Sequence, residues 1–124
     1  MKIRIRAIAL AAVLTAVTGF VLADDWTLDG IRRVVAISDI HGAQQEFVAT
    51  LQAAGVIDTA LHWSAADTHL VIVGDIVDRG DDSRQAMDLL MRLEPQAAAA
   101  GGRVHVVLGN HDLMTGKEQV ADAL

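Results

Sequence analysis

Three short apolar runs rich in β-branched residues punctuate the chain, and each closes on a polar, turn-forming cluster. Ile31 to Ile37 ends at Ser38-Asp39, Leu70 to Val73 at Gly74-Asp75, and Arg103 to Leu108 at Gly109-Asn110. Runs of this kind predict buried strands. Between them the period changes. Phe47, Leu51 and Ala54 recur at helical spacing with Val48 beside them, so a helix is expected over Ala43 to Ala54, stopped by Gly55. Ala60 to Thr68 reads as a loop. A second helix should carry Met87, Leu90 and Met91 on one side, with Asp81-Asp82 as its cap. Pro95 should break or end it, leaving Gln96 to Ala100 as a tail or linker, and Gly101-Gly102 turns the chain into the third run.

The order β-α-β-α-β, in elements of similar length, predicts an α/β fold. Its strands should be parallel, joined by right-handed crossovers, with helices covering the sheet. Thr115 and Glu118 have the spacing of a capping box, which predicts the start of another helix there. Three strands and a short last helix would leave an open sheet edge. The expectation is therefore that residues 24–124 are the N-terminal part of a larger catalytic domain.

The first 23 residues follow a different pattern. Lys2, Arg4 and Arg6 precede an uncharged stretch from Ala7 to Leu22, and Val21-Leu22-Ala23 offers small residues before Asp24-Asp25. This is the layout of a secretory signal peptide cleaved after Ala23; the stretch is short for a membrane span of about 20 residues. The protein is expected to be exported, periplasmic or extracellular, and to meet a membrane only through this leader. The leader also carries most of the excess in the mean hydropathy of +0.36.

Composition narrows the chemistry. The 124 residues include no cysteine, which excludes disulfides, thiolate metal sites and a cysteine nucleophile. Aromatics make up 3% and the net charge is −6, which argues against nucleic acid as a partner. Cleavage of the leader would remove three basic residues and no acidic one, making the balance more negative still.

The strand ends carry what remains: Asp39-Ile40-His41-Gly42, Gly74-Asp75-Ile76-Val77-Asp78-Arg79-Gly80, and Gly109-Asn110-His111-Asp112. In open parallel sheets, ligands bind outside the carboxyl ends of the strands, so these clusters are placed to converge. Carboxylates, imidazoles and an amide oxygen suit divalent Mn, Fe or Zn, and a pair of ions can clamp a phosphate and activate water. Arg79 offers a fork matched to phosphate oxygens. His111 is available to protonate a leaving oxygen, and Asp78 to hold that imidazole in one tautomer. Taken singly, each residue has an ordinary explanation: Asp39 as a turn or cap residue, His41 on the surface, Asn110 as a turn former, Asp78-Arg79 as a solvated pair. It is the recurrence at three strand ends that favours a shared site. His62, His69 and His105 lack such a context and read as loop or strand residues. Asp112 reads as a support for the Asn110-His111 turn.

These three clusters resemble the N-terminal motifs of calcineurin-like metallophosphoesterases. The Asp78-Arg79-Gly80 ending points to the phosphoprotein phosphatase branch. The long stretch from Asp39 to Asp75 and the Gly109-Asn110-His111-x-x-Met114 pattern are similar to the bacterial Shewanella-like phosphatases. The resemblance covers about residues 33 to 115 and implies the first part of a layered β-sandwich flanked by helices. It implies that Asp39 and His41 bind one metal, that Asp75 bridges two, and that Asn110 binds the second. It also implies that His111 is the acid, Asp78 its partner and Arg79 a phosphate ligand. Ser38 and Asp112 depart from the Gly and Glu usual in eukaryotic members. The remaining metal histidines of that family and a second arginine have no counterpart in these 124 residues.

The expected function is hydrolysis of phosphate monoesters, in protein or small molecules, by a binuclear metal centre and a metal-activated hydroxide. Two alternatives accompany it. One is a symmetrical dinucleoside-tetraphosphate hydrolase, against which Asp78 and the leader argue. The other is an inactive truncated product that at most binds metal.

Overall fold

The computed structural model describes residues 27–121, without side chains at 116–121. The proposed leader lies outside the described residues. The elements run β1 (Val34–Ile37), α1 (Gln44–Ala53), β2 (His69–Val73), α2 (Ser83–Ala99), β3 (Arg103–Val107) and α3 (Asn110–Ala121). The three strands form one parallel sheet in the order β1-β2-β3. No helix among the described residues is long and apolar enough to cross a membrane.

The strand order explains where the core sits. Two successive crossovers of one hand, stepping in one direction across the sheet, place both helices on the same face. Phe47 and Leu51 of α1 and Ala86, Leu89, Leu90 and Leu93 of α2 join Leu70 and Ile72 of β2 in one buried cluster, with Val35, Ile37 and Val104 against it. Each fully buried Leu or Ile there contributes about 1.5–3 kcal/mol. The alternate residues Val34, Val73 and Val107 stay exposed on the opposite face. The helices thus cover one face of the sheet and leave the other open.

Helix α1 ends as its sequence predicts. Gly55 adopts a φ of 64°, its N–H bonds to the Gln52 carbonyl, and the Val56 N–H bonds to Leu51, a left-handed C-terminal closure. Strand β1 is shorter than the apolar run, because the ladder starts opposite His69 and only the Arg33 carbonyl reaches it from upstream. The Arg33 guanidinium instead bonds the Ala54 carbonyl and Thr68 Oγ1.

Helix α2 corrects three expectations. Asp82 precedes it, but with φ −105° and ψ 25° its side chain makes no capping bond and accepts from Gln85 Nε2 instead. The buried stripe runs through Ala86, Leu89, Leu90, Leu93 and Ala97, and Met91 is exposed. Pro95 neither breaks nor ends the helix. The carbonyl it orphans belongs to exposed Met91, where water can satisfy it, while Leu93 and Ala97 hold the turns on either side. Gln96 locks the tail: its Nε2 bonds the Arg92 carbonyl and its Oε1 accepts the Trp63 N–H.

Helix α3 corrects a fourth. It begins at Asn110, not at the Thr115 capping box, because its first turn is satisfied from another loop. The His111 N–H bonds to Asp75 Oδ1 at 3.0 Å.

Candidate active site

The first two strand-end loops are zipped together through their backbones. The N–H groups of His41 and Gly42 bond to the carbonyls of Asp75 and Ile76, and the Gly80 N–H bonds to the His41 carbonyl. The contact is close enough to require glycine. A Cβ on Gly80 would collide with the His41 carbonyl oxygen, and one on Gly42 would lie 2.8 Å from Ser83 Oγ. The second and third loops approach as tightly, since a Cβ on Gly109 would strike the Asp75 carboxylate.

The backbone holds five of the seven residues singled out for chemistry in the left-handed region: Asp39 (φ 55°), His41 (46°), Asp75 (52°), Asp78 (73°) and Arg79 (74°). Each such residue costs of order 1–3 kcal/mol and persists only where its surroundings over-determine it. The concentration of that cost at the ends of β1 and β2 marks them as a site rather than as turns.

The side chains converge there. Donor atoms of His41, Asp75 and His111 all lie within 4.8 Å of one another. Asp39 Oδ1 stands 3.7 Å from His41 Nε2. The His41 and His111 rings meet edge to face, with centroids 4.8 Å apart. His41 Nδ1 lies 3.3 Å from the Val77 carbonyl, which accepts its proton and leaves Nε2 turned toward the carboxylates. No sequence signal marks this positioning group, because it is a backbone carbonyl. Asn110 opens α3 as an exposed residue next to His111.

His111 is held from two sides. Its Nδ1 lies 2.8 Å from Asp78 Oδ2, and its Nε2 3.4 Å from an Arg79 guanidinium nitrogen. Arginine only donates, so Nε2 accepts and the Nδ1 proton goes to Asp78. The His111 hydrogen bond, with help from the Arg79 backbone N–H, holds the Asp78 carboxyl below its usual range. Asp112 lies beneath. Burial pushes its carboxyl up, but bonds from the N–H groups of Gly109, Val77, Ile76 and Asp75 outweigh this and leave it low. The support expected of Asp112 for its own turn thus extends to the loop after β2.

His69 and His105, expected to be loop or strand polar residues, are partners. Their Nδ1 and Nε2 atoms are 2.9 Å apart on adjacent strands. The signal was the parallel register, which pairs Val71 with His105 and brings the two rings to one face.

This architecture and site match a known family. Residues 32–122 fit the calcineurin-like phosphoesterase model, and the chain belongs to that family. Among its relatives, Shewanella-like protein phosphatase 2 of Arabidopsis thaliana is 37% identical over 82 residues, covering 66% of this chain and 21% of that protein. A symmetrical bis(5'-nucleosyl)-tetraphosphatase of Buchnera aphidicola is 38% identical over 77 residues, covering 62% of this chain and 23% of its own. The crystal structure of a cold-active protein-tyrosine phosphatase from a psychrophilic Shewanella species superposes with a TM-score of 0.67 at 39% identity. It covers 68% of this chain and 26% of that one. The chain spans about a quarter of the length of these relatives.

Proposed function

We propose that the protein containing this chain is a metal-dependent phosphatase that hydrolyses phosphate monoesters. The observation that carries the reading is His111, fixed between Asp78 and Arg79 and sharing a cluster with His41 and Asp75. The donor set fits divalent ions, since imidazole and carboxylate ligands suit Mn, Fe or Zn. Asp39, His41 and Asp75 would hold one ion, and Asp75 with Asn110 the second. Bound there, the pair would neutralise phosphoryl oxygens and make water more acidic.

The chain's own residues supply the rest. Arg79 is exposed beside the cluster and free to swing onto a phosphate oxygen as a bidentate donor. That movement releases His111 Nε2, which can then take up a proton from solvent and pass it to the leaving oxygen as the ester bond breaks. Asp78 stabilises the imidazolium and fixes its orientation. The phosphatase relatives and the tyrosine phosphatase neighbour support a phosphoprotein substrate. The tetraphosphatase relatives support a second reading, in which a dinucleoside tetraphosphate is split symmetrically. The Asp78–His111 contact favours the first, because it prepares an acid for an alkoxide or phenoxide leaving group.

The test is a substrate panel on the full-length protein with Mn²⁺: phosphotyrosyl and phosphoseryl peptides against a symmetrical dinucleoside tetraphosphate. Release of inorganic phosphate from a peptide is expected. Formation of nucleoside diphosphates with inert peptides would overturn the phosphoprotein reading. The same reading takes residues 1–23 as a cleaved export leader, supported by the basic start and the uncharged run after it. N-terminal sequencing of the mature protein checks this, with Asp24 expected first.

A further inference from the structure

Asp112 is one residue past His111, and its carboxylate is the meeting point of two loops. Oδ2 accepts the N–H groups of Asp75 and Gly109, both at 2.8 Å. Oδ1 accepts those of Ile76 at 2.9 Å and Val77 at 3.1 Å. A carboxylate has about four lone-pair sites, and all four are used on backbone amides. Three of these amides are consecutive, forming a concave row that a left-handed residue at Asp75 makes possible. Without an anion in that row, several part-buried donors would lack partners, which the chain avoids at a cost.

The exchange is reciprocal. Asp112 of α3 caps the loop after β2, while the Asp75 carboxylate on that loop caps the His111 amide of α3. The clamp also reaches the first loop. The Val77 peptide unit that gives its N–H to Asp112 belongs to the residue whose carbonyl orients His41. One side chain therefore fixes the backbones that carry Asp75 and His111 and the residue whose carbonyl orients the His41 ring.

We infer that Asp112 is a positioning residue that sets the mutual spacing of His41, Asp75 and His111, and with it the affinity of the site for a divalent cation. The inference rests on the metal-dependent reading of the site. An Asp112→Asn change keeps the size but replaces two acceptor sites by an NH₂ facing backbone N–H groups. An Asp112→Glu change keeps all the acceptors on a longer stem.

The experiment uses the full-length protein. Mn²⁺ binding is read from the spin-resonance signal of the free ion, independently of turnover, and kcat and KM are measured alongside. Asp112→Asn is expected to weaken Mn²⁺ binding about 10–100-fold, the usual loss when the support of a metal ligand is removed. It should lower kcat at saturating Mn²⁺ while leaving KM for the ester near wild type, since Arg79 is untouched. Asp112→Glu should recover most of the Mn²⁺ affinity. Leu93→Ala, a core change in α2 chosen as a control, should lower the melting temperature without changing Mn²⁺ affinity.

A folded Asp112→Asn protein with wild-type Mn²⁺ affinity and kcat would overturn the inference, as would an equal loss of affinity in Leu93→Ala. A wild-type protein that binds Mn²⁺ yet cleaves no phosphoester would overturn the phosphatase reading alone, and the affinities would still decide the role of Asp112. A wild-type protein that takes up no Mn²⁺ would overturn both.

Discussion

His111 Nδ1 lies 2.8 Å from the Asp78 carboxylate, although the two residues come from different strand-end loops. The contact assigns the tautomer of His111 and prepares a charge partner for its protonated form. Asp78 itself is exposed, so the contact is held by loop geometry rather than by burial.

Replacing Asp78 with Asn should therefore act on chemistry more than on binding. The amide can still contact Nδ1 but no longer stabilises an imidazolium. In steady-state assays of the full-length protein, kcat is expected to fall about 10²-fold or more, with KM within a few-fold of wild type. A change confined to KM would show that Asp78 binds substrate instead.

Gly80→Ala should damage the site through the backbone. The added Cβ collides with the His41 carbonyl and lies 2.8 Å from the Gly42 carbonyl carbon, so the first two loops must separate. Overpacking of this kind costs about 1–3 kcal/mol. The urea midpoint should drop and Mn²⁺ binding should weaken together. An unchanged midpoint would mean that the loops adjust freely and that their contact is not required.

The His69–His105 pair gives a pH dependence with a definite sign. Burial, followed by the neighbouring His69 and Arg103, holds His105 below its ordinary value of 6.5. Glu94 of α2 lines the same groove at the β3 edge. Between the folded and unfolded values the unfolded chain binds the extra proton, so acid favours unfolding. The contribution is complete above about pH 6.5 and is lost as the pH falls from there to the lower folded value. His105→Gln should flatten the slope of urea midpoint against pH over that window. The same slope in both proteins would show that His105 is not the titrating group.

Much of the fold and part of the site can be read from the residues alone, for identifiable reasons. Asp39, His41, Asp75 and His111 stand where apolar β-branched runs stop, and parallel strands deliver their carboxyl ends to one edge. What could not be read is what depends on distant partners. The start of α3 is hidden because its first-turn amide bonds to Asp75, 36 residues earlier, while a local Thr115–Glu118 pattern points elsewhere. Pro95 misleads because the carbonyl it orphans belongs to an exposed residue, Met91. The histidine pair is invisible until the register of β2 on β3 is known. The clamp by Asp112 on three amides of another loop has only a faint local trace, an acid in the first turn of a helix.

The most direct test of the central claim is Mn²⁺-dependent phosphate release from a phosphotyrosyl peptide by the full-length protein, compared with its Asp75→Asn variant. Asp75 is the side chain that faces both the cluster with His41 and the first turn of α3. The account predicts measurable release by the wild type, abolished by chelation, and a loss of at least about 10²-fold in the folded variant. Equal rates in the two proteins, or release untouched by chelation, would contradict it.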